Sequence, residues 1–238
     1  MKKKLFSILL VTCLSTFIHA QNALTGRATV TIDVRHLEEK DGIFTLSGNQ
    51  IFDSAYIKNN QLIFKKNIKE PLVVGLRYYP KSASYTDYKT TPALPKNTFF
   101  FCITPGNTLI IANDSLQTSQ IAKPNKYQKE YTYFVTELTK YEAENIDPLW
   151  KQFQMYMKNG PSDSAYPAQR RAQMASEIEW ERLYKPFIEK NASTTPVSLL
   201  VLSKYFNEAG AHVNMNNIIS LFDRLNKEYQ NLPSALKI

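Results

Sequence analysis

The run Asp53-Ser54-Ala55-Tyr56-Ile57-Lys58-Asn59-Asn60-Gln61-Leu62-Ile63-Phe64-Lys65 decides how the first half of this chain is read. Two β-type segments flank an Asn-Asn pair. Asn is one of the few residues that accepts the positive φ of a two-residue hairpin loop. Folding the run back on Asn59-Asn60 is expected to pair Ile57 with Leu62, Tyr56 with Ile63 and Ala55 with Phe64. Ala55, Ile57, Leu62 and Phe64 then share one face, as a half-buried sheet requires.

Similar short runs extend on both sides of it. Residues 27–34, 42–46, 50–58, 61–66, 72–79, 98–103 and 108–112 read as strands separated by Gly, Pro, Asn and Asp. The last two form a second expected hairpin across Thr104-Pro105-Gly106-Asn107. No helical crossover fits between these runs, so an antiparallel sandwich or barrel is expected and a parallel sheet is not.

The period changes after Pro124. Tyr127, Tyr131, Phe134, Leu138 and Tyr141 step by the intervals of one helical face. Asp147-Pro148 opens a second helix with Leu149, Trp150, Phe153 and Met157 inward, ended by Gly160-Pro161. A third begins near Tyr166 and carries Met174, Ile178, Leu183, Phe187 and Ile188, with Pro186 kinking its last turn. Thr195-Pro196 starts a fourth with Val197, Leu200, Val201 and Tyr205, closed by Gly210. A fifth runs from about Asn214 through Ile218, Leu221, Phe222 and Leu225. The expected class is therefore α+β, with a β-domain over 21–118 and a helical domain over 119–238.

Residues 1–20 read as a secretory signal peptide. Lys2, Lys3 and Lys4 precede an apolar run over 5–18, and Ala20 offers a small residue for cleavage before Gln21. A lipoprotein reading through Cys13 is disfavoured by Thr12 before it and by the apolar run continuing past it. The expected location is periplasmic or otherwise extracytoplasmic, with no membrane span after cleavage. Of 29 basic residues, three belong to this segment, leaving 26 against 21 acidic ones. They are scattered among acids, which argues against a nucleic-acid partner.

Chemistry is sparse. Beyond the signal segment only Cys102 remains, so neither an internal disulfide nor a Cys-x-x-Cys pair can form. Its setting, Phe99-Phe100-Phe101-Cys102-Ile103, reads as a buried strand. His36 and His212 have no His or Cys at ligand spacing, and Glu177, Glu179 and Glu181 point to different sides of a helix. No catalytic residue, metal site or cofactor is expected. The candidate contact surface is Arg77, Tyr78, Tyr79, Lys81, Tyr85, Tyr88 and Lys89, where tyrosines and cations suit a protein, peptide or glycan partner. The competing expectation is that these rings cover the sheet edge.

Asp53-Ser54-Ala55 followed by Ile57, Asn59, Phe64, Ile68 and Glu70-Pro71 resembles the N-terminal domain of a group of secreted bacterial thiol–disulfide oxidoreductases. In that group a small β-domain of unassigned function and a helical segment precede a thioredoxin-like domain. Residues 99–112 resemble the family's next hairpin, 198–202 a late helical stretch, and 225–237 the segment before its catalytic domain. Asn60 and Asn67 replace usual glycines, and Leu62 replaces a usual Phe. The resemblance implies an accessory module whose partner is a protein or a thioredoxin-like domain. It transfers no redox residue, because no Cys-x-x-Cys stands here. Three expectations stay open: a non-catalytic accessory module, a free-standing glycan- or peptide-binding protein using the Tyr-rich segment, and a truncated oxidoreductase.

Overall fold

A computed structural model describes residues 24–48, 51–80, 97–158, 164–209 and 215–238. The signal-peptide reading and the helix stops at Gly160-Pro161 and Gly210 lie outside them. The chain divides into two compact units, the first ending at Lys129 and the second starting at Glu130.

The first unit is built from β1 (Gly26–Asp33), β2 (Gly42–Gly48), β3 (Ile51–Ala55), β4 (Gln61–Ile68), β5 (Leu72–Pro80), β6 (Thr98–Ile103), β7 (Gly106–Ile111) and β8 (Gln120–Ile121). They form two four-stranded sheets, ordered β4-β1-β7-β8 and β3-β2-β5-β6. Val30, Ile32, Leu62, Phe64 and Ile110 of the first sheet share one buried cluster with Phe44, Leu46, Leu76, Phe101 and Ile103 of the second. The α+β class holds, with open sheets rather than a barrel. Because β8 pairs with β7 through Ile110↔Ile121, the β-unit runs past the expected boundary at 118.

The turn at Asn59-Asn60 forms as the residues dictate. Both have positive φ, 52° and 57°, and Lys58 and Gln61 exchange backbone hydrogen bonds of 2.9 and 3.0 Å. The expected ladder does not follow. Beyond that single rung β3 pairs with β2 and β4 with β1, so Tyr56 and Ile63 are not strand partners. The face assignment survives, since Leu62 and Phe64 are buried and Ala55 and Ile57 pack on the same cluster. Tyr56 and Ile63 stay exposed. One hairpin would lay all four apolar residues in a single layer. Splitting the arms places them on two layers with the core between, which removes more apolar surface from water.

The same correction applies at 104–107. β6 belongs to one sheet and β7 to the other, so Thr104 to Asn107 is a corner, with Gly106 at φ 100°. The expectation of purely antiparallel pairing is also overturned. β1 and β7 run parallel from Ala28↔Gly106 to Asp33↔Ile111. A parallel pair needs a long crossover. Here that crossover contains the strands of the second sheet, so no helix is required.

The helices are α1 (Lys126–Tyr141), α2 (Asp147–Met157), α3 (Ala165–Glu179), α4 (Lys185–Asn191), α5 (Val197–Ala209), α6 (Met215–Asp223) and α7 (Lys227–Gln230). The unit boundary falls inside α1. Asn125 caps α1 reciprocally with Gln128: the Gln128 amide donates to Asn125 Oδ1 and the Asn125 amide to Gln128 Oε1, each at 3.0 Å. Tyr131, Phe134 and Leu138 are buried as their spacing predicts, and Phe134 packs edge-on to Tyr184 at 5.1 Å.

Two π-helical segments, Glu142–Ile146 and Trp180–Tyr184, join α1 to α2 and α3 to α4. An inserted residue rotates the downstream face by about 100°. This explains a second correction. Met174 and Ile178 were expected to share a packing face with Ile188, yet they are 52% and 45% exposed while Ile188 is fully buried. The buried stripe of α3 is Ala165, Ala168 and Ala172 instead. Met157 is likewise exposed, because α2 buries none of its residues fully.

Candidate functional site

β5 carries the described part of the expected contact surface, and alternation along the strand splits it. Tyr78 faces the core with Leu76 and Phe44; its ring lies 5.0 Å from that of Phe44. Its hydroxyl donates to the backbone oxygen of Asp41 at 3.3 Å. Burial first, then the charges of Glu39 and Asp41, push its ionisation above the usual phenol range. Tyr79 is also buried. Neither ring is an exposed anchor, which corrects that part of the expectation. Alternation accounts for Tyr78, which follows Leu76 on the core side and keeps its polar tip satisfied at the rim; Tyr79 is buried on the opposite side of the strand, outside that core cluster. Lys81, Tyr85, Tyr88 and Lys89 lie outside the described residues.

Arg77 points the other way. Its Nη1 donates to Ser47 Oγ of β2, and its guanidinium carbon stands 5.6 Å from the centroid of the Phe100 ring. Phe100, 53% exposed, lies across Gly75; a Cβ there would stand 3.0 Å from its ring. Register supplies the arrangement, since Gly75 pairs with Phe100 and Arg77 with Thr98. The outer face of the second sheet thus presents an aromatic ring flanked by a cation. Sequence reasoning passed over Phe100 because it sits in an apolar run. The signal was available in the alternation: Phe99 and Phe101 pack on the core, so Phe100 must face out.

A small cleft of about 30 Å³ is lined by Leu37, Glu38, Glu39, Tyr78, Asn97, Asp114, Ser115 and Leu116. That is room for a water or two and no organic ligand. Among the described residues no group of His, Cys, Asp and Glu could hold a metal ion. His36 lies exposed in the turn after β1, and His212 is outside the described residues. Cys102 is buried, its Sγ 3.9 Å from the backbone oxygen of Ile103. A thiol so placed behaves as a small hydrophobe.

Gln128 is buried and bonds to the strands of the first unit. Its Nε2 donates to the backbone oxygen of Cys102 at 3.3 Å and to Thr108 Oγ1 at 2.9 Å. Asn125 Nδ2 donates to Thr104 Oγ1 at 2.7 Å. These bonds tie the start of α1 to the β6–β7 corner.

The chain matches no known family of proteins, no curated protein and no solved structure.

Proposed function

We propose that this chain is an extracytoplasmic accessory module related to the N-terminal region of thiol–disulfide oxidoreductases, without redox turnover of its own. The observation that carries the reading is what the family-like residues do. Asn59 and Asn60 make the crossing between sheets, Phe64 and Ile68 fill the core below it, and Glu70 and Pro71 are buried where the chain enters β5. These residues specify a scaffold. The single thiol beyond the leader, Cys102, lies buried within β6. A reversible dithiol couple in one chain needs two cysteines. Reduction of insulin by dithiothreitol, with and without the purified mature protein, tests this. The expected rate is the uncatalysed one, unchanged by Cys102→Ser.

A second reading, a free-standing peptide- or glycan-binding protein, is favoured by Arg77 held over the half-exposed Phe100. Here Phe100 takes the place that the buried Tyr78 and Tyr79 cannot fill. Retention of periplasmic material on immobilised protein, lost on Phe100→Ala with the melting temperature unchanged, would support it. Equal retention by both forms would remove it.

A further inference from the structure

We draw no further inference here: the strongest candidate, the apolar surface that α2 and α3 leave exposed at Met155, Met157, Met174 and Ile178, carries nothing because nothing in the structure shows what covers it.

Discussion

Pro148 and Pro186 each stand four residues beyond the middle of a π-helical segment, at Glu144 and Arg182. A proline ring clashes with the carbonyl four residues before it and leaves that carbonyl without its donor. In both places the widened turn falls on the carbonyl concerned, and the helix continues: α2 reaches Met157 and α4 reaches Asn191. At Pro186, where a kink is expected from the sequence, the helix carries a π-helical turn over Trp180–Tyr184.

The phase shift makes a direct forecast for the helical unit. Ile188→Ala should cost about 2–5 kcal/mol, as for a buried Ile. Met174→Ala should stay within about 0.5–1 kcal/mol. Urea unfolding of the two variants checks this. Equal losses would mean that one uninterrupted helical face runs from Met174 to Ile188.

At the sheet crossing, Asn59 and Asn60 occupy a backbone region that costs an ordinary L-residue about 1–2 kcal/mol. Asn60→Ala should destabilise by about that much, and Asn60→Gly should be neutral or mildly stabilising. Thermal melts of both separate the backbone effect from any side-chain effect. A loss on Gly as large as on Ala would show that the Asn side chain is what matters.

Gln128→Ala removes the half of the cap that Gln128 Oε1 accepts from the Asn125 backbone N–H, and the Nε2 bonds to Thr108 Oγ1 and the Cys102 carbonyl, while the backbone N–H of residue 128 still donates to Asn125 Oδ1. The expected loss is about 1–3 kcal/mol. Hydrogen exchange should quicken in the first turn of α1 and at the β6–β7 corner together. Faster exchange in α1 alone would contradict the coupling.

Asp33 is held below the usual carboxylate range by its hydrogen bonds from Arg35, side chain first and backbone amide second. A lowered folded-state value means the stabilisation is present above the unfolded carboxylate range and is lost as pH falls through the folded one. Asp33→Asn should therefore lower stability slightly at pH 7 and flatten its decline below about pH 4. The effect is small because Arg35 is open to solvent and screened. A parallel acid limb in wild type and variant would refute it.

Much of this architecture was readable because single residues have narrow backbone tolerance. The Asn-Asn turn, the Asp147-Pro148 start and the Tyr131-Phe134-Leu138 face each follow from local chemistry. Strand partners were not readable in the same way. Period-two alternation assigns Leu62 and Phe64 to a face but says nothing of which strand lies beside them, so the turns at Asn59-Asn60 and Thr104 to Asn107 read locally as hairpins and are crossings between the sheets. The parallel β1–β7 pair joins residues far apart in sequence and leaves no local mark. The helical misassignment at Met174 and Ile178 came from carrying one period across an inserted residue. For the candidate surface, alternation on β5 separates Arg77 from Tyr78 and alternation on β6 turns Phe100 away from Phe99 and Phe101, while its place across Gly75 depends on strand register, which leaves no local mark.

The insulin-reduction assay on purified residues 21–238 tests the central proposal most directly. Precipitation is expected at the rate of dithiothreitol alone, identical for wild type and Cys102→Ser, with both proteins folded by circular dichroism. Turnover above that rate, abolished by Cys102→Ser while the fold persists, would contradict it and make Cys102 a working thiol.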